Sequence, residues 1–230
     1  MTLLINGCSF ATYWNPSVEF VKNLNCDSVT NIAKVGTGSQ RVLRSTIEWI
    51  AQKGNPEFVI VAIPLHSRWE MSIGKHDDDI DGTWMSLQHP EYLDQDNISD
   101  QVSFTHLQNT IKNYYTLIPD IRTEWDKLFT EILALSGFLT ATGIKHLFFD
   151  MCNNFEIEHI KGYKGFSKIK LLEKNKSIID IFGFCANKHM HEHLPENEKN
   201  NTNQTMHHHG QSSYRHLENY ILDYLNSNLN

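Results

Sequence analysis

The chain has 230 residues, 40% of them hydrophobic and 11% aromatic, which suits one α/β domain spanning 1–230 with a sizeable core. Its 27 acidic and 20 basic residues leave a formal charge of -7, so no nucleic-acid partner is expected. Met1 to Asn6 lack a basic n-region with a long apolar core, and no run of about 18 apolar residues occurs; neither export nor a membrane partner is expected, and the expected compartment is the cytoplasm. Cys8, Cys26, Cys152 and Cys185 are widely spaced with no Cys-x-x-Cys pair, which excludes a zinc ribbon or dithiol motif and fits reduced thiols.

Apolar runs of strand length occur at Leu3 to Asn6, Ser28 to Ile32, Phe58 to Ile63 and Lys145 to Asp150. Between the first three, a helix is predicted to start at Pro16, with Val18, Val21 and Leu24 on one face. A second runs from Gln40 to about Gln52 with Val42, Leu43, Ile47 and Ile50 inward. This βαβαβ order implies a parallel, doubly wound sheet between helical layers, a three-layer α/β/α sandwich. Ile121, Trp125, Leu128, Phe129, Ile132, Leu133 and Leu139 recur at helical spacing before the fourth strand. Tyr214, Leu217, Ile221, Leu222 and Leu225 line a C-terminal helix expected to be capped by Ser212 or Ser213.

Two stretches interrupt the pattern. Residues 71–103 are acidic and turn-rich, with Asp77-Asp78-Asp79 and His89-Pro90; they read as an insertion over one sheet edge, with a solvated loop expected and a lid as the alternative. Ala186 to Met206 reads as an exposed connection to the last helix.

The chemistry-bearing feature is the turn Asn6-Gly7-Cys8-Ser9-Phe10-Ala11 directly after the first strand. Gly7 permits a tight or positive-φ turn. Ser9 is then presented at the C-terminal edge of the sheet, where open α/β folds bind their ligands. Neighbouring side chains there tend to point to opposite sides, so Cys8 is the weaker candidate nucleophile. Among 13 histidines, His189-x-His191-x-His193 and His207-His208-His209 stand out. On an extended segment the first three would share one side, as a zinc or nickel site needs. No Cys pattern or His-Glu-x-x-His helix supports a defined site, so adventitious capture is the expectation, with no metal and no cofactor.

The early Ser turn, a Gly loop after the second strand and a His before the last helix together resemble the SGNH hydrolases, also called the GDSL family. The family's Gly-Asp-Ser-Leu corresponds to Gly7-Cys8-Ser9-Phe10. Its second block falls on Asn31-Ile32-Ala33-Lys34-Val35-Gly36-Thr37-Gly38-Ser39, with Gly36 at the oxyanion-hole glycine and Gly38 as competitor. The final block, Asp-x-x-His-Pro, can be laid on Thr205 to His208 with His208 as base; His207 and His209 are one register away. More specifically, the chain resembles small phage or bacterial members with Gly-Cys-Ser-Phe near the start and Ser67-Arg68-Trp69-Glu70 after the third strand.

The resemblance implies a flavodoxin-like fold and acyl transfer: Ser9 attacks an ester carbonyl, His208 takes its proton, and the N–H groups of Ser9 and Gly36 bind the oxyanion. The chain departs from the family in two places. Thr205 stands where the imidazole-orienting Asp is usual, leaving a Ser-His dyad or an acid from elsewhere, for which Asp180 and Asp150 are the candidates at ends of apolar runs. The third block, Gly-x-Asn-Asp, is replaced by Ile63-Pro64-Leu65-His66-Ser67-Arg68. An oxyanion or substrate contact would then come from His66, Ser67 or Arg68, unless Arg68 pairs with Glu70. The expected function is a serine esterase or acyl hydrolase acting on a small-molecule ester or acetylated carbohydrate. The alternative is a catalytically degenerate member of the fold with a binding or structural role.

Overall fold

A computed structural model describes residues 1–14, 22–24, 26–65, 69–72, 84–87, 109, 113, 121–151, 166–179, 185–192 and 211–228. In chain order its elements are β1 (Thr2–Gly7), a 3-10 turn (Ser9–Tyr13), β2 (Ser28–Asn31), α1 (Ser39–Lys53), β3 (Phe58–Ile63), β4 (Trp69–Ser72) and β5 (Trp84–Leu87). They continue with α2 (Ile121–Ala141), β6 (Lys145–Asp150), α3 (Phe166–Glu173), α4 (Ala186–Glu192) and α5 (Gln211–Asn228).

Four strands form a parallel sheet in the order β2-β1-β3-β6. Ile179 N–H donates to the Phe148 carbonyl at 2.9 Å, and Phe148 N–H donates to that of Ser177 at 2.7 Å. The Ser177–Ile179 segment therefore occupies a fifth position beyond β6, with a single parallel bridge from Phe148 to Ile178.

β1, β3 and β6 read as near-continuous apolar runs because helices cover both faces, whereas β2, Ser-Val-Thr-Asn, is partly exposed. Leu3, Ile5, Ile60, Ala62, Leu147 and Phe149 pack with Ala186 and Met190 of α4 and Leu217 and Ile221 of α5. Their alternates Leu4, Val59, Val61, Ile63 and Phe148 pack against Val42 and Ile50 of α1, Leu128 and Phe129 of α2, and Ile169 and Leu172 of α3. Strand periodicity of two thus divides one sheet between two cores, and the expected three-layer α/β/α sandwich is what forms.

The four strands of the parallel sheet and the α1 and α2 helices fall where the sequence pattern puts them. The helix predicted from Pro16 lies outside the described residues except for Lys22 to Leu24. The last helix starts at Gln211, ahead of Ser212 and Ser213, which therefore lie in its first turn and not at its cap. Ala186 to Glu192 is α4 and no exposed connection: Ala186 and Met190 are fully buried. The backbone at positions 189 and 191 is helical and not extended, and His193 lies outside the described residues; His189 lies 5.3 Å from the Tyr220 ring. Within 71–103, β5 pairs antiparallel with β4, Trp84 opposite Ser72, so part of the expected loop is a hairpin.

At the N-terminal end of β6, buried His146 makes a local polar cluster. Its Nδ1 lies 2.9 Å from the Ile144 carbonyl, an obligatory acceptor, so Nδ1 carries the proton. Nε2 then accepts from Ser136 Oγ at 2.9 Å, and Asn175 Nδ2 donates to the same hydroxyl at 2.7 Å.

Candidate active site

The chain passes from β1 to β2 on one side of β1 and returns to β3 on the other, so the order of connection reverses between β1 and β3. Ligands of open α/β sheets bind at the carboxyl end of such a switch point. Ser9 lies there, two residues beyond the end of β1. Gly7 makes the turn possible: its φ is +145°, and a Cβ at this position would lie 2.6 Å from the Ala62 carbonyl oxygen and 2.8 Å from the Ala62 Cβ. Only glycine lets β1 approach β3 so closely while leaving the strand in this direction.

Beyond Gly7 the backbone tightens. Ala11 N–H donates to the Cys8 carbonyl at 3.0 Å, Trp14 N–H to that of Ala11 at 3.2 Å, and Thr12 Oγ1 to that of Ser9 at 2.5 Å. Cys8, Ala11 and Trp14 are fully buried in the core and anchor the turn from below, whereas Ser9 keeps 6% exposure. Burial of Cys8 in the core leaves Ser9 as the hydroxyl at the edge.

The loop after β2 is fastened to this turn. Lys34 N–H and Thr37 Oγ1 both donate to the Gly7 carbonyl at 3.2 Å, and Thr37 Oγ1 also lies 2.9 Å from the Lys34 carbonyl. Gly36, with φ +76°, forms the bend of the same loop. Gly38 is buried and serves as the N-cap position of α1 in extended backbone. The two glycines thus do different work: Gly36 shapes the loop, and Gly38 starts the helix.

Beneath the turn lies a polar layer that hydrophobic periodicity does not anticipate. Asn6, fully buried, donates through Nδ2 to Thr46 Oγ1 at 2.8 Å, Ser45 Oγ at 2.9 Å and the Val42 carbonyl at 3.2 Å. Its Oδ1 accepts from Gly7 N–H at 2.8 Å and lies 3.4 Å from Arg41 Nη1. The signal in the sequence is Arg41, Ser45 and Thr46 on the face of α1 that also carries Val42.

α5 arrives at the same edge. The Tyr214 ring, in its first turn, lies 5.4 Å from that of Tyr13 in the 3-10 turn. Burial, with the neighbouring Tyr13, Cys8 and Glu218, pushes the Tyr214 hydroxyl above its ordinary pKa. Asp150, buried, ends β6 opposite Ile63 and lies two strands, about 10 Å, from β1. It falls on the alternate set with His146 and Phe148, the face covered by α2; α5 covers the other. His66, Ser67, Arg68, Asp180, His207, His208 and His209 lie outside the described residues. Among the described residues no cluster of His, Cys, Asp or Glu forms a metal site, and no helix is long and apolar enough to cross a membrane.

No family model and no curated protein matches the sequence. Two solved structures match the fold. One is a Bacteroides fragilis protein assigned as an acylhydrolase, 13% identical, covering 100% of this chain and 88% of its own, with a TM-score of 0.50. The other is TesA, 15% identical, covering 99% of both chains, with a TM-score of 0.51. This chain shares the three-layer α/β/α fold of these two proteins. Within that fold Ser9 stands at the end of β1 and Gly36 in the loop after β2, joined at Gly7. Cys8, where the family sequence has Asp, is a core residue.

Proposed function

We propose that this protein is a serine hydrolase of small esters, with Ser9 as nucleophile and His208 as base. The observation that carries the reading is the union of two segments at the switch point: the Ser9 turn, which only Gly7 permits, and the Gly36 loop bonded to the Gly7 carbonyl. The packing of Tyr214 on Tyr13 supports the choice of base. His208 is three residues before the start of α5, so the chain can carry it at most about 11 Å from Gln211.

In this mechanism His208 removes the proton as Ser9 Oγ attacks the ester carbonyl. The oxyanion so formed is held by the backbone N–H groups of Ser9 and Gly36, with Arg68, Ser67 or His66 in place of the family's Asn donor. Collapse breaks the carbonyl–oxygen bond, and His208 returns the proton to the departing alcohol. Water, deprotonated by His208, then attacks the acyl-enzyme; collapse releases the carboxylic acid and restores Ser9. With Thr205 unable to supply a carboxylate, Asp180 would orient the imidazole, or else Ser9 and His208 act as a dyad; Asp150, on the face covered by α2, is the less suited of the two acids.

The substrate class we assign is a short acyl ester, acetylated carbohydrate included. The test is a screen of short-chain aryl esters and acetylated sugars against the wild type and Ser9→Ala. Turnover lost in Ser9→Ala supports the reading. Absence of turnover and of Ser9 phosphonylation by a fluorophosphonate would favour a binding role for the same fold.

A further inference from the structure

The Ser9 turn and the Gly36 loop are joined by one further side chain, that of Asn31, the last residue of β2. Its Nδ2 donates to the Ala11 carbonyl at 2.7 Å and to the Trp14 carbonyl at 2.8 Å. Its Oδ1 accepts from Ala33 N–H at 2.9 Å. Both amide protons are therefore spent on the segment that begins at Ser9, and the oxygen on the segment that leads to Gly36. Asn31 lies opposite Ile5 in the sheet, so its attachment point is fixed by the parallel ladder.

The Ala11 carbonyl also accepts from Trp14 N–H at 3.2 Å, and an aliphatic residue at 31 would remove the donor that ties both carbonyls to β2. Aspartate at 31, when ionised, would turn an oxygen toward two carbonyl oxygens. Asparagine alone among side chains of this size offers two donors and one acceptor in a plane.

Resting on the proposed serine-hydrolase reading, we propose that Asn31 is a positioning residue for catalysis: it sets the spacing between the two oxyanion donors, the N–H groups of Ser9 and Gly36. Neither donor touches Asn31. Both belong to segments whose relative placement it holds, and donors of this kind act chiefly on the transition state, where misplacement by about 1 Å can cost about 10²-fold in rate. The expected signature is a loss in kcat with KM nearly unchanged.

The experiment uses the full chain with p-nitrophenyl acetate for turnover and a fluorophosphonate for labelling of Ser9, comparing wild type, Asn31→Ala and Asn31→Asp, with folding followed by circular dichroism and thermal unfolding. Asn31→Ala should lower kcat and the labelling rate at least about tenfold while KM changes less than about twofold. Asn31→Asp should be as slow at pH 8. Its rate relative to wild type should rise as pH falls toward 5, because a protonated carboxyl regains one donor, while the Asn31→Ala ratio stays flat. Should Asn31→Ala not fold, the pH profile of the near-isosteric Asn31→Asp carries the test. A folded variant with wild-type kcat and labelling rate, or one altered in KM alone, would overturn the positioning role and leave Ser9 as nucleophile. A wild type that neither turns over ester nor labels at Ser9 would overturn the hydrolase reading and the role of Asn31 with it.

Discussion

Gly7 and Ala62 face each other across β1 and β3 with no room for another atom: a Cβ on Gly7 would approach the Ala62 carbonyl oxygen to 2.6 Å. The turn that presents Ser9 starts from this contact, so the glycine is a condition of the site as well as of the fold.

Gly7→Ala should therefore destabilise by about 2–5 kcal/mol, combining strain at positive φ with overpacking against backbone that cannot yield. Gly137→Ala should do the reverse. Gly137 is exposed within α2 with nothing within 4 Å of its would-be Cβ, and the helix-propensity gain is about 0.5–1 kcal/mol. Urea unfolding of both variants checks the pair, and equal effects would refute the steric account of Gly7.

His146 should make stability fall in mild acid. Burial lowers its pKa below the ordinary 6.5, partly offset by the hydrogen bond to the Ile144 carbonyl. The unfolded chain thus binds the proton more readily than the folded one. The stabilisation is complete above about pH 6.5 and is lost as pH drops toward the folded-state value, with a slope of at most about 1.4 kcal/mol per pH unit. Urea midpoints between pH 5 and 8 should show this dependence in the wild type and a weaker one in His146→Gln.

Tyr214→Ala should cost about 3–5 kcal/mol, because a large ring only 6% exposed is removed. It should also weaken ester turnover by freeing the start of α5 from the 3-10 turn. Tyr214→Phe keeps the ring against Tyr13 and should retain most of both properties. Parallel unfolding and aryl-ester assays of the two variants separate ring packing from the hydroxyl.

Arg68 carries the prediction for the missing Asn. If its guanidinium holds negative charge in the Ser9 cleft, Arg68→Ala should lower kcat/KM at least about tenfold, roughly 1.4 kcal/mol of transition-state binding. Arg68→Lys should recover only part, since an ammonium lacks the planar fork. Unchanged kinetics in a folded Arg68→Ala variant would return Arg68 to a structural pairing and leave the backbone donors alone at the oxyanion.

The sequence by itself determined the sheet, α1, α2 and the last helix, because buried strands and amphipathic helices write their burial into periodicity: Phe58 to Ile63 could be little else than a strand covered on both faces. It also pointed to Ser9 as a candidate nucleophile, since Gly7 before Ser9 at the end of an apolar run carries its own geometric meaning. Tertiary structure alone decided the rest. The roles of Asn6 and Asn31 arise from partners 36–40 and 17–20 residues away in sequence, and an isolated asparagine has no period that could reveal them. α4 stayed hidden because its sequence, Ala-Asn-Lys-His-Met-His-Glu, offers just two apolar residues, Ala186 and Met190, too few to set a pattern among polar neighbours. The proximity of Tyr214 to Tyr13 depends on α5 crossing back over the sheet. That crossing follows from packing two cores on one sheet, a property of the whole fold and not of any segment.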